Sequence, residues 1–356
     1  MIKRASSLLF LLALTSPAQD LVQTGQQMGF NRHQQILSQH QLISQGEVYD
    51  RLQRVFTRMT DAPDFKGGAA IPYRLFYLDS SEINAYATGG GMMYVTAGLM
   101  RAINGNEGVL AFVMGHEMVH NRNQHLEKKY WRLVNMDYQY RQLYIKNGQL
   151  AASIFATAAQ IAEAKMERDE EHEADQLGLR VAAEAGYHPD YAIFAARLLR
   201  AETGEQSKFA AFFSNHPRWT TREERTELNY GEAIAAFERC WPSVDDSPGG
   251  RPPAIAIVSP IKIEKRQRDV TISTAVRVRN LRGSPADLRL ELIGEQDPSP
   301  VPLGSRSYIV DQTRRDPVTV TFSQDQWKGR KGKQYIRVRV VSGNDEIYCS
   351  NLVKAR

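Results

Sequence analysis

The segment His116-Glu117-Met118-Val119-His120 combines the side chains that hold a metal ion and use it. The run from Glu107 to Lys129 reads as a helix, and at 3.6 residues per turn His116 and His120 fall on one face. Two imidazoles placed so can grip one zinc ion. Glu117, next to that face, can take a proton from metal-bound water. The apolar stretch Val109-Leu110-Ala111-Phe112-Val113-Met114, followed by Gly115, buries the start of this helix. That separates it from a polar surface helix carrying two histidines.

A catalytic zinc takes three protein ligands and keeps one position for water. A metzincin would continue with a glycine and a third histidine, but Asn123 and Leu126 stand at those offsets. His125 lies nine residues past His116, about half a turn out of phase, and reads as a surface or supporting residue. The better source is Glu171-His172-Glu173-Ala174-Asp175, inside a helical stretch. Glu171 and Asp175 share a face. Glu171 can ligate, Asp175 can accept a hydrogen bond from a ligand imidazole and fix its tautomer, and Ala174 is small enough for two helices to approach. Taken alone this would be a solvated acidic run, since Glu167, Asp169 and Glu170 crowd it; the upstream histidine pair tips the reading. One zinc per chain is expected, on His116, His120 and Glu171.

These residues need a scaffold. Gly46 to Met59 is expected as an amphipathic helix with Val48, Leu52, Val55, Phe56 and Met59 on one side. Three strands are expected at Tyr73–Leu78, Ile83–Ala87 and Met92–Thr96, with Gly89-Gly90-Gly91 turning the chain between the last two. Helices follow at Leu150–Gly186, Asp190–Thr203 and Thr221–Cys240, while Gln19–Gln45 and Tyr130–Gln149 give no clear pattern. Ser243–Pro253 has linker composition. Beyond it the hydrophobic period becomes two, in short runs separated by Gly, Pro, Asp and Asn. That predicts an all-β sandwich of the Ig-like kind over residues 254–356.

The first residues bound the compartment. Met1-Ile2-Lys3-Arg4, an apolar core at Leu8–Leu14 and Ser16-Pro17-Ala18 form a secretory signal, residues 1–18, cut after Ala18. No later segment reads as transmembrane. Export, to the periplasm or beyond it, is therefore expected. An oxidising compartment and an even cysteine count predict one bridge, Cys240–Cys349. The formal net charge is +5, yet residues 250–356 hold 20 Lys/Arg against 11 Asp/Glu. Such a basic region could meet an anionic envelope surface. No nucleic-acid module is present.

With these motifs in place the chain resembles the gluzincin family that contains the CAAX prenyl proteases, the HtpX membrane proteases and the BepA-type periplasmic proteases. The resemblance rests on His116, Glu117, His120, Glu171, Ala174 and Asp175. It extends to Asn84-Ala85-Tyr86-Ala87, the glycine turn, Tyr94-Val95, and His216-Pro217 with Arg222, and covers roughly residues 45–240. It implies a mainly helical, zincin-type domain with a small sheet over 19–242; joined through 243–253 to the sandwich, which lies outside the resemblance, this gives an α+β fold. It implies peptide-bond hydrolysis with Glu117 as general base. His216 and Arg222 would stand near the zinc, His216 as an oxyanion donor or as a latch on the open position. Ile83–Ala87, with Asn84, Ala85 and Tyr86, would offer a strand edge to extended or unfolded polypeptides. The competing reading is an envelope chaperone or binding protein working through the sandwich; intact ligands and base favour the protease.

Overall fold

The computed structural model describes residues 17–66, 72–201 and 222–258, and beyond these the strands of the C-terminal region. The chain divides into two compact units, residues 1–250 and 251–356.

The first unit opens with α1 (Pro17–Leu37) and α2 (Glu47–Asp61). In α2, Leu52, Val55 and Met59 recur at helical spacing and are fully buried, as an amphipathic stripe requires. Strands β1 (Arg74–Leu78), β2 (Ala85–Ala87) and β3 (Met92–Thr96) form a sheet in the order β1-β3-β2, with β1 parallel and β2 antiparallel to β3. β2 is thus an edge strand. Gly89, Gly90 and Gly91 all have positive φ, 86°, 60° and 78°, a turn that side-chain-bearing residues resist.

Helices α3 (Ala97–Ala102) and α4 (Glu107–Arg122) follow. Each begins on a side-chain cap: Thr96 accepts from the Leu99 amide and Asn106 from the Val109 amide, which satisfies amides a helix start leaves orphaned. α4 is buried almost along its whole length. Asn123 ends it, and Gln124, at φ 55°, reverses the chain into α5 (His125–Glu184). α5 is two helical legs joined at Gly148 (φ 80°, ψ 179°). Arg132 on the first leg pairs with Glu163 at 2.9 Å and Glu170 at 2.7 Å on the second, so the legs run antiparallel as a hairpin. α6 (Asp190–Ala201) and α7 (Arg222–Cys240) follow. Where α5 ends, the buried Glu184 carboxylate accepts from the Asp64 amide and from Arg239 of α7.

Part of the stretch expected as a linker is packed down. The Gly249 amide donates to the Gly186 carbonyl at 3.0 Å, and the Tyr191 hydroxyl donates to the Gly249 carbonyl at 2.7 Å.

The described secondary-structure elements of the second unit are all strands. β4 (Ile255–Val258), β5 (Lys262–Arg266), β6 (Asp269–Arg279) and β9 (Asp316–Ser323) form one antiparallel sheet. β7 (Ala286–Gly294), β8 (Val301–Tyr308), β10 (Gln334–Ser342), β11 (Asp345–Cys349) and β12 (Val353–Lys354) form another. Ile336, Val338 and Val340 are fully buried at alternate positions, the period-two signature of a strand with one inward face.

No disulfide is found among the described residues: Cys240, at the end of α7, is a free, half-buried thiol, which lends the expected Cys240–Cys349 bridge no support. Cys349 closes β11 in the other unit, its main chain opposite Arg339, and its side chain lies outside the described residues. The expected signal lies, up to residue 16, outside the described residues. Among the described residues no helix is long and apolar enough to cross a membrane.

Candidate metal centre

The centre forms where α4 and the second leg of α5 cross. A Cβ placed on Gly115 would lie 2.5 Å from the Gly178 carbonyl oxygen, and one on Gly178 would lie 2.6 Å from the His116 nitrogen. Neither position has room for a side chain, so the helices meet main chain to main chain, with Ala174 fully buried in the crossing. This close approach carries Glu171 and Asp175 alongside His116.

His116 Nε2 and His120 Nε2 are 3.0 Å apart. The Glu171 carboxylate oxygens stand 3.6 Å from His116 Nε2 and 3.3 Å from His120 Nε2. Donors around a tetrahedral ion with bonds of about 2.1 Å are roughly 3.4 Å apart, so the trio is spaced to share one cation. Among the described residues these three alone form such a cluster.

The second nitrogen of each ring is also held. His116 Nδ1 contacts Asp175 Oδ1 at 3.0 Å. His120 Nδ1 contacts His125 Nδ1 at 2.9 Å, and His125 Nε2 contacts Glu173 Oε2 at 3.1 Å. The network assigns the protons. With its Nε2 given to a metal, His120 donates from Nδ1 to His125, and His125 donates from Nε2 to Glu173. His125 is buried, and burial first, then the neighbouring His120, pushes its pKa down to about 4. A neutral imidazole is what an acceptor at Nδ1 requires. Partners of this kind fix the orientation and basicity of ligand imidazoles.

Glu117 is buried, and its Oε2 accepts from the Ala87 amide at 3.0 Å. That contact ties the residue beside the ligands to the sheet edge. The Thr96 amide donates to the Asn84 carbonyl and the Thr88 amide to the Met92 carbonyl, so the even positions of this segment pair with β3. Ala85 and Ala87 therefore turn their main-chain groups to the free edge. Asn84 and Tyr86 serve differently: Asn84 is buried with an unbonded Oδ1, and Tyr86 stacks on Tyr94 at 5.2 Å. Glu117, His120 and Glu171 line a cleft of about 820 Å³ together with Asn84, Tyr86 and Ala87.

The opposite wall was not legible in the sequence. Met28, Arg32 and Ile36 of α1 face this cleft. α1 docks through two glycines four apart: a Cβ on Gly25 would lie 2.1 Å from Glu127 Oε1, and one on Gly29 would lie 2.6 Å from the Gly89 carbonyl oxygen. Glu127 is fully buried and accepts from the Gly90 amide at 3.4 Å. Burial raises its pKa. The Gly25/Gly29 spacing was the available signal. Of the remaining expected site residues, Arg222 opens α7, its side chain outside the described residues, and His216 lies outside them altogether.

Two imidazoles, a carboxylate and an adjoining buried glutamate, set on a helix crossing beside an edge strand, define the class as a metal-hydrolase centre. The chain belongs to peptidase family M48, whose model matches residues 48–227. It is 26% identical over 185 residues to the mitochondrial metalloendopeptidase OMA1 of Schizosaccharomyces pombe (strain 972 / ATCC 24843). That match covers 49% of this chain and 54% of the relative, so the chain spans about half the length of the curated relative it matches. Among solved structures, the hypothetical protein PH1083 from Pyrococcus horikoshii OT3 covers 29% of this chain and 86% of its own at 16% identity and TM-score 0.18. A Kluyveromyces marxianus beta-glucosidase covers 41% of this chain and 20% of its own at 13% identity and TM-score 0.21. Neither score carries an argument about the fold.

Proposed function

We propose that the chain is a zinc-dependent endopeptidase acting on extended or unfolded polypeptides in an exported compartment, most simply the periplasm. The observation that carries the reading is the paired support of the two imidazoles, one on Asp175 and one on His125–Glu173, with Glu117 beside them at the cleft. Bound zinc would lower the pKa of a water molecule and polarise a carbonyl.

The chain's own groups supply the rest. Glu117 takes the proton from the attacking water and passes it to the leaving amine. The free edge of β2 hydrogen-bonds an extended main chain through Ala85 and Ala87, which gives affinity with little sequence selectivity. The Ala87 amide now on Glu117 would be released to such a substrate. His216 and Arg222 are proposed as oxyanion donors, on the family resemblance. A latch role for His216 predicts the opposite result: His216→Ala raises basal proteolysis instead of lowering turnover by about 10²–10³-fold. The soluble exported branch of the family and an Ig-like sandwich in the second unit complete the proposal.

The test is Glu117→Gln in the full chain. Metal content and fold should persist while cleavage of unfolded casein falls by at least about 10²–10⁴-fold, the share of general acid–base catalysis. Cleavage near the wild-type rate would remove Glu117 as the base.

A further inference from the structure

Of the 16 large apolar side chains exposed among the described residues, 12 lie on α5. The most exposed of them flank its turn. Ile145 and Leu150 are each 76% exposed, and Tyr138, Tyr144, Ile154 and Ile161 are all more than half exposed. Nothing lies within 4 Å of a Cβ built on Gly148 at the turn itself. Isolated surface apolar residues need no explanation, but their concentration on one element points to an interaction site.

Charge is sorted along the same hairpin. From 138 to 162 there is no Asp or Glu, and the only charges are Arg141 and Lys146. Arg141 also meets the exposed Asp137 at 2.9 Å, a surface pair of small worth. From 163 to 175 there are seven acidic residues against Lys165 and Arg168. One end is therefore apolar, tyrosine-bearing and basic, and the other strongly acidic.

We propose that the tip of α5, residues 138–162, docks on an anionic lipid surface. Tyrosines seat an apolar ring among acyl chains with the hydroxyl in the headgroups. Lys146 and Arg141 can lay their stems on the apolar face and reach anionic headgroups. No described helix is apolar enough to span a bilayer, so the tip lies in the interface of one leaflet. The acidic base is repelled by the same surface. A second copy of the chain fits the tip less well, because facing tips would bring the two Lys146 ammonium groups together with no acid between residues 138 and 162 to meet them. Glu171 stands 23 helical residues from Gly148, at most about 35 Å along the leg. The cleft would then work on polypeptide held close to a membrane.

The experiment is co-sedimentation of the full chain with phosphatidylcholine vesicles, with and without phosphatidylglycerol. Wild type should bind the anionic vesicles and lose affinity at high salt. Ile145→Asp/Leu150→Asp should weaken binding by about a hundredfold, roughly tenfold for each apolar side chain withdrawn from lipid. Lys146→Gln should weaken it about fivefold. Ile145 and Leu150 are far from the cleft, so circular dichroism and peptide cleavage should be unchanged in the double variant. Absence of wild-type binding would overturn the proposal. So would undiminished binding by the double variant, which would move the contact to another surface such as the basic strands of the second unit. Concentration-dependent dimerisation without vesicles, abolished by the double variant, would assign the tip to a second copy instead.

Discussion

At its base α5 lies so close to α4 that Gly115 and Gly178 admit no side chain, whereas around Gly148 every residue from 144 to 150 is exposed. Both ends are the same secondary structure in one hairpin. What differs is residue size and charge. The base uses glycine and alanine to bring main chains together, and it buries Glu163, Glu171 and Asp175 against Arg132 and His116. The tip keeps large apolar side chains and has no acidic group from 138 to 162. Helix propensity sets neither property. Position is enforced at the base by neighbours that leave a side chain one place to go, and around Gly148 no such neighbours are present among the described residues.

If that contrast is right, substitutions should lose force from base to tip. The largest change is expected from Glu171→Gln, which removes the only carboxylate of the three-donor cluster. Metal retained by the purified full chain, read by elemental mass spectrometry, should fall by more than the roughly 10–100-fold typical of losing a supporting partner. Full occupancy would exclude Glu171 as a ligand.

Next comes Gly178→Leu, which forces a side chain into the His116 backbone. Overpacking of a tight contact costs about 1–3 kcal/mol or more. Urea unfolding should show that loss, and metal affinity should fall with it because the crossing sets the donor spacing. A variant as stable as wild type would mean that the crossing tolerates separation.

His125→Ala leaves the crossing intact and removes the partner of His120. Metal affinity from chelator competition should drop about 10–100-fold, with little change in melting temperature beyond that due to the metal. His125→Gln, which can accept from His120 and donate to Glu173, should restore part of the affinity. Equal loss in both variants would reduce His125 to a packing residue.

The smallest effect belongs to the tip. Ile161→Ser should change unfolding free energy by no more than about 0.5 kcal/mol and leave metal content alone. A larger loss would show that the tip is packed in solution.

Legibility followed the range of the forces involved. The α2 stripe, apart from the exposed Val48, and the three short strands were readable because their periodicity is local. The first leg of α5 was not, because apolar residues circle it without a helical stripe, as its exposed Tyr130, Trp131, Leu133 and Val134 attest. α1 was missed because its Gln-rich sequence has little intrinsic pattern; its glycines acquire meaning only against Glu127 and Gly89. His125 was placed out of phase by counting along one helix. The count fails because Asn123 ends α4 and Gln124, in the left-handed region, restarts the chain.

The sequence by itself determined that His116 and His120 share a face with Glu117 beside them, since four residues of helix suffice for that. It also determined the change from helical to strand periodicity near residue 250. Tertiary structure alone decided that Glu171 and Asp175, more than 50 residues away, meet those histidines, and that His125 supports His120. The first depends on the distance between two helices, which side-chain volume at Gly115, Ala174 and Gly178 sets and local propensity does not; the second depends on the chain reversal at Gln124.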